Sequence, residues 1–452
     1  MKKFSFLIAC LSLTSHCFAQ SYLGMESDNY SGIHGVLFNP ANITDSRLKV
    51  DFNIISYDAM AGTDYLALTF DNIAKFVEEE PNGDDAEKFY SNTNQFIVTS
   101  DVLGPSFMFN LSEKHSIGFL TRARVFNNYN NINGQLLEGL VDGFPNESFD
   151  IDMRNLNGST HIWGEIGLAY GRTIFEKDYH FLKGGVTLKY LLGGVFAQGN
   201  SESLTGTYNA TQNTLTTDGT FSYLLNYDAD TEFTSDKLSP GFGADIGFVY
   251  EYRPRSSRFS ANGEDERGSN KYKVKVGLAL VDFGRITYKD VEQDVYNLTN
   301  TVDTNTFSGD FVGKLDDNYS KSSTLGDAAV MLPTSLRLNV DYNIIPKVHA
   351  SLNYTQTLSK QNAIYTNSTL NLITLAPRFE SKIVSVYTPI NYSNLDGLTF
   401  GAGLRVGPLF LGSGTLFSSL FSKKADLANV YLGFKIPLYQ PKKPKNNRRR
   451  RR

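Results

Sequence analysis

In the stretch Ser335-Leu336-Arg337-Leu338-Asn339-Val340-Asp341-Tyr342, polar and apolar side chains exchange at every residue. Successive side chains of a β-strand point to opposite faces, so this run has one apolar face and one face of Ser, Arg, Asn and Asp. Such a strand needs an apolar medium on one side and polar surroundings on the other. The pattern recurs. Val348, Ala350, Leu352 and Tyr354 alternate with His349, Ser351, Asn353 and Thr355. Val430, Leu432, Phe434, Ile436 and Leu438 alternate with Asn429, Tyr431, Gly433, Lys435 and Pro437. Tyr272, Val274, Val276, Leu278 and Leu280 alternate with Lys271, Lys273, Lys275, Gly277 and Ala279. These runs approach the roughly ten residues that a tilted strand needs to cross a bilayer.

The connections are a second, independent signal. Tight turns at Ser112–Lys114, Phe175–Asp178, Ile344–Pro346, Glu380–Lys382 and Gly407-Pro408 alternate with long polar segments near 71–95, 128–159, 197–239 and 289–330. That is the rhythm of a membrane barrel with short periplasmic turns and long outer loops, with one longer periplasmic turn at 253–270. The parity fits about 14 strands if 47–70 is one long strand kinked near Gly62; a hairpin there would make the count odd. The expectation is therefore an all-β chain, a transmembrane antiparallel β-barrel with long extracellular loops. A propeller would show repeats of about 40 residues, and none is found. Asn72–Glu80 and Asn133–Val141 have the apolar spacing of short loop helices, and Thr205–Tyr227 reads as a hairpin projecting beyond the membrane.

Composition agrees. The chain holds 32 Phe, 25 Tyr, 38 Gly and one Trp, an aromatic load heavy for a soluble protein. Beyond the N-terminus no segment has the roughly 18 consecutive apolar residues of a spanning helix. Lys2, Lys3, the apolar run Phe4–Leu13 and the Ala19-Gln20 step form a secretory signal, 1–19, and imply export to the outer membrane. Leu7-Ile8-Ala9-Cys10 imitates a lipoprotein box but would leave almost no apolar core before cleavage. Cys10 and Cys17, the only cysteines, fall inside that signal, so the exported chain is expected to lack thiols and disulfides. The formal charge is −4; removing Lys2 and Lys3 leaves −6, and setting aside the eight Lys and Arg beyond Gln440 leaves −14. An acidic body with a basic tail, 440–452, argues against nucleic acid and for a solvated periplasmic tail that could meet an acidic surface or a protein partner.

Residues 20–46 precede the barrel, 47–439, and do not read as a strand. Asn39-Pro40 pushes Asn39 towards extended geometry and starts a turn, and Ala41, Asn42 and Asp45 can satisfy backbone groups locally. This segment either sits below the barrel or plugs it. Phe38-Asn39-Pro40-Ala41 just before the first strand resembles the N-terminal signature of the FadL-type superfamily, which the secretion barrel PorV also resembles. With Asn29–Ser46, Gly104-Pro105-Ser106-Phe107, Leu332-Pro333-Thr334 and Gly401–Gly412, the chain is similar to an uncharacterised family of Bacteroidota outer-membrane barrels. The resemblance implies an N-terminal plug, a lateral opening and hydrophobic ligands.

On the polar faces the alternation places Arg122, Arg124, Lys183, Lys189, Lys273, Lys275, Arg337, Arg378, Arg405 and Lys435, with Glu165, Asp245, Glu251, Asp341 and Glu380. On a lipid face each charge would cost roughly 2–4 kcal/mol at the midplane, so these point inward. They either line a pore or pair with one another to fill the lumen. Enzymatic readings are poorer. His349 and Ser351 share a face with Asp341, but a histidine on a polar wall is more often a hydrogen-bonded filler. Gly241–Gly247 lies inside a strand rather than at a strand–helix turn, and Asp282-Phe283-Gly284 lacks any kinase context. Asn262–Gly268 lacks the spaced ligands of a calcium loop. No cofactor, metal or catalytic role is expected. The function expected is a FadL-like channel for small hydrophobic or amphipathic molecules; the alternative is a structural or secretion-associated component binding partners through its loops or tail.

Overall fold

A computed structural model describes residues 22–73, 87–226, 237–254, 268–307, 311–360 and 363–440. The signal 1–19, most of Asn72–Glu80, the Asn262–Gly268 turn apart from its last residue, and the tail beyond Gln440 lie outside the described residues.

Twenty strand segments form one antiparallel sheet that closes into a 14-strand barrel. They begin with β1 (Leu48–Thr63), β2 (Asn94–Leu103), β3 (Ser106–Asn110), β4 (His115–Ile132), β5 (Phe149–Lys177), β6 (His180–Asn209) and β7 (Thr214–Leu225). Next come β8 (Ser239–Tyr252), β9 (Val274–Asn297), β10 (Asn300–Asp303), β11 (Ser320–Met331), β12 (Ser335–Ile345), β13 (Val348–Thr357) and β14 (Leu372–Glu380). The last are β15 (Val384–Tyr387), β16 (Ile390–Ser393), β17 (Gly397–Phe400), β18 (Ala402–Val406), β19 (Leu409–Ser413) and β20 (Leu427–Tyr439). Three wall strands are each split in two: β2/β3 at Gly104-Pro105, β15/β16 at Thr388-Pro389, and β17/β18 at Gly401. β1 is one strand, as the even count required, and it closes the ring on β20 from Leu48↔Tyr439 to Gly62↔Leu427.

Where described, the long polar segments 197–239 and 289–330 are themselves largely sheet, and 128–159 is so in part. β5 and β6 run for 29 and 30 residues, and β7 folds back on β6 as the expected hairpin. β11 extends β12 outward along β9, with Leu332-Pro333-Thr334 as the break. Among the described residues, helices α1 (His34–Phe38), α2 (Gly134–Val141), α3 (Phe311–Asn318) and α4 (Leu416–Phe421) decorate this frame. α2 is the helix expected at Asn133–Val141; Asn133 caps it, its Oδ1 accepting from Leu136 N–H at 2.7 Å. The outer end of the barrel, so named for its long loops, carries α2 and α3.

Alternation sets the two faces as expected. Leu338, Val340, Leu352, Leu432, Ile436 and Leu438 are exposed on the outside, while Asp341, Ser351, His349 and Lys435 are buried within. Tyr272 and Lys273 break the rule. Tyr272 points inward, its hydroxyl 2.6 Å from Asp341 Oδ2. Lys273 is not a lumen charge: its Nζ donates to the carbonyls of Asn343 (2.6 Å) and Ile344 (3.1 Å) and lies over the Tyr342 ring. β9 begins only at Val274, so regular pleating does not reach Lys273, and a lysine at the rim can stretch its stem to cap the neighbouring turn.

A second departure matters more. The expected strand 409–417 ends at Ser413, and α4 follows. β19 pairs β20 only from Leu409↔Phe434 to Gly412↔Tyr431, and β17 pairs only β16. Over the outer half of the wall, among the described residues, no strand therefore joins β17 to Leu427–Val430 of β20. α4 packs against both, with Phe417, Leu420 and Phe421 exposed. Side chains replace the missing ladder: Ser418 Oγ accepts from Phe400 N–H (2.9 Å), Thr415 Oγ1 from Asn429 N–H (3.0 Å), and Asn429 Oδ1 from Gly414 N–H (2.8 Å).

Candidate functional site

The lumen is filled in layers. Lowest is the segment 22–46, which touches nearly every wall strand. In the Asn39-Pro40 turn, Asn39 is extended and its Oδ1 accepts from Ala41 N–H at 2.9 Å, while Asn42 Nδ2 donates to the Gly35 carbonyl at 3.0 Å, the kind of local closure expected of Asn42. Asn39 Nδ2 also donates to the wall carbonyls of Phe248 (3.1 Å) and Leu278 (3.2 Å). The turn can lie this close because Gly118, Gly171, Gly185, Gly247 and Gly277, on five successive wall strands, present no Cβ towards it. Phe38 is buried in an apolar cluster with Tyr22, Ile33, Val36 and Ile43, and the Arg337 guanidinium lies over its ring.

Charges bind the segment to the wall. Arg405 Nε donates to Asp28 Oδ2 at 3.0 Å, and Arg253 Nη2 to Asp45 Oδ2 at 2.6 Å. Lys435 Nζ donates to the carbonyls of Tyr30 (2.7 Å) and Ser31 (2.8 Å). Burial alone would raise the Asp28 carboxyl, but Arg405 and hydrogen bonds from Tyr387 and Tyr30 hold it well below the usual carboxylate range. Glu26 is the opposite case: burial outweighs Arg337 and pushes its carboxyl up to about 7. Beside these, Arg378 bridges Asp341 (2.7 Å) and Glu380 (2.9 Å), and Lys275 reaches Asp341 at 3.4 Å.

Above the segment lies a layer of paired charge. Arg122 Nε donates to Asp101 Oδ1 (2.9 Å), Arg124 to Glu165 (3.0 Å) and Asp282 (2.9 Å), and Lys189 to Asp245 (2.7 Å) and Asp282 (2.6 Å). The expected inward charges Arg122, Arg124, Glu165, Lys189 and Asp245 thus meet in one buried network. Asp101 and Asp282 were missed. Strict alternation puts Asp282 outside; a bulge opposite Ala244/Ile246, with Asp282 at φ 58°, turns it in. No period-2 reading could show that. His349 and Ser351 do face inward near Asp341, but Ser351 Oγ donates to the Ala376 carbonyl (3.4 Å), and neither ring nitrogen of His349 has a hydrogen-bond partner. Among the described residues, no group of three or more His, Cys, Asp or Glu is placed to hold a metal ion.

Towards the outer end the lining turns aromatic, with Phe126, Trp163, Phe196 and Tyr288. Residues 363–371, between β13 and β14, then fold into the mouth. Tyr365 N–H donates to Gln198 (2.9 Å), Asn367 meets His161 Nδ1 (2.9 Å) and Ser159 Oγ (3.1 Å), and Ser368 exchanges two bonds with Asn128 (3.0 and 3.1 Å). Beyond it, among β5, β6, β7, α2 and α3, is a cavity of about 310 Å³. Leu136, Leu140, Leu204, Leu215, Phe221 and Leu315 line it, with hardly a polar atom exposed to its interior. That volume is at the lower end of the roughly 300–1,000 Å³ of ligand pockets. Its residues are scattered over nearly two hundred positions, so only α2 and the β6–β7 hairpin were visible from sequence.

Layer by layer, the molecule is a 14-strand barrel with an N-terminal plug, a charge-paired interior and an apolar outer cavity. The chain belongs to the family of unknown function DUF5723, whose model matches residues 40–414. No curated protein matches it. Among solved structures it is similar to the Ralstonia pickettii toluene transporter TbuX, at 9% identity over 91% of this chain and 95% of that one, TM-score 0.43. It is also similar to the Pseudomonas putida toluene transporter TodX, at 10% identity over 93% and 97%, TM-score 0.43. A Pseudomonas aeruginosa FadL homologue gives 10% identity over 93% and 96%, TM-score 0.42.

Proposed function

We propose that this protein is an integral outer-membrane barrel that captures small hydrophobic molecules at its outer end and passes them into the membrane. The observation that carries the reading is the apolar cavity. An uncharged ligand entering it gives up water and strands almost no polar group, so burial itself supplies the binding energy. The exposed apolar belt of the wall fits a bilayer, and the long-loop end carrying the cavity fits the cell exterior. Inside, the charge layer is poor ground for an apolar molecule. The wall interruption at α4 supplies the lateral route that the family resemblance implies.

The test is saturable binding of a neutral apolar fluorophore, N-phenyl-1-naphthylamine, to the barrel in lipid nanodiscs. Leu136→Glu and Leu315→Glu each place a carboxylate in the cavity and should weaken binding at least tenfold, since a buried unpaired charge costs several kcal/mol. Equal affinity in both variants and the native chain would overturn the reading. The filled lumen favours a second reading, a non-transporting component of the outer membrane; saturable binding lost in both variants would count against it.

A further inference from the structure

Among the described residues, two segments cross the lumen, and their attachments differ in kind. The N-terminal segment is held by ionised partners, Arg405, Arg253 and Lys435, and lies in a trough of five glycines. The connection Ala363–Asn371 is held across the mouth by neutral side chains. Asn128, Ser159, His161 and Gln198 reach it from β4, β5 and β6, and its backbone adds a bridge, Met331 N–H to the Tyr365 carbonyl at 2.8 Å. Hydrogen bonds with an ionised partner are roughly twice as strong as neutral ones. Tyr365 moreover sits at φ 58°, a left-handed conformation unfavourable for a residue with a Cβ. When one of the two gives way, it is the connection.

We propose that Ala363–Asn371 is a gate across the outer mouth, with Asn128, Ser159, His161 and Gln198 as its clasp. Its position gives the gate a purpose, and that purpose rests on the function proposed above. At one end Tyr365 is held by Gln198, which also lines the apolar cavity. At the other end Leu370 packs with Met60, Ile97 and Leu427, beside the stretch of β20 that lacks a strand partner on its α4 side. The connection thus separates the cavity from the interrupted wall. The clasp consists of polar atoms that water satisfies equally well, so opening exposes polar groups rather than stranding them.

The test uses the full chain in lipid vesicles with a reporter thiol at Thr99. Thr99 pairs with Phe126 on the inner face, one inward position below Asn128, and is buried beneath the connection. Thr99→Cys is treated from outside with a small, membrane-impermeant methanethiosulfonate. Adding Asn367→Ala, which alters the connection and leaves the strands untouched, should accelerate labelling about tenfold, and Asn128→Ala should do the same. Unchanged labelling in both, in barrels that keep the heat-resistant electrophoretic mobility of the native fold, overturns the gate. Binding of N-phenyl-1-naphthylamine is measured on the same samples. Faster labelling without binding leaves the gate standing and the ligand reading fallen; binding with unchanged labelling does the reverse.

Discussion

Replacing Gly185 by alanine tests how the N-terminal segment is seated. A Cβ on Gly185 would lie 2.4 Å from the carbonyl carbon and oxygen of Pro40 and 2.6 Å from Ala41 N, where ordinary contact begins at 3.4 Å. These are backbone atoms in a turn fixed by its own hydrogen bonds, so no flexible side chain can step aside. Overpacking of this kind costs about 1–3 kcal/mol. If the segment yields rather than the wall, the unseated population rises roughly 5- to 150-fold. Arg47 is buried in the seated form, so trypsin cleavage there reports unseating, and loss of heat-resistant mobility reports the barrel itself. Gly326→Ala is the control: it also lies in a strand, with no heavy atom within 4 Å of its Cβ, and should stabilise by about 0.4–1 kcal/mol through the unfolded state. Equal trypsin sensitivity in the two variants would refute the trough as the seat.

The segment's pH response has a definite sign. Glu26, raised to about 7, contributes stability that is complete below the unfolded carboxyl value of about 4.3 and lost as pH rises through 7. Asp28, held low, contributes stability that is present above about pH 4 and lost as pH falls further. Glu26→Gln should therefore raise the thermal midpoint at pH 8 and leave it nearly unchanged at pH 5; an equal shift at both values would contradict the assignment. Lys275→Ala leaves Asp341 short of a buried partner and should cost on the order of 3 kcal/mol, whereas Lys273→Ala at the rim should cost under about 0.5 kcal/mol, both read from denaturant titration in micelles. Comparable losses would restore Lys273 to the lumen.

What was legible in the sequence was whatever depends on period 2. Leu336–Tyr342 and Val430–Leu438 announce an interface between lipid and a polar interior, and strand parity followed from turn spacing. Asn39-Pro40 was legible as a turn because proline restricts its neighbour whatever the tertiary context. Lys273 and Asp282 were not, because a frayed strand start and a bulge each shift alternation by one residue, and period 2 cannot register a shift that it assumes away. α4 did carry a signal: Leu416, Phe417, Leu420 and Phe421 recur at helical spacing after Gly412-Ser413-Gly414, a break that should have ended the strand. The clasp carried none. Asn128, Ser159, His161 and Gln198 meet a connection more than 160 residues downstream, and no local pattern separates them from other polar lumen residues.

The charge layer poses a question that stability does not answer. A buried ion pair is commonly no better than well-packed apolar residues of the same volume, so Arg122, Arg124 and Lys189 with Asp101, Glu165, Asp245 and Asp282 are not explained by holding the barrel together. An apolar filling would differ in one respect: it would accept an apolar ligand arriving from the outer cavity. To enter the paired layer such a molecule must part charges with no water to receive them, at several kcal/mol each. On the function proposed here, that cost turns the ligand aside. The easier contacts are Leu370, Met60 and Leu427, beside the stretch of wall where side chains and α4 stand in for a strand.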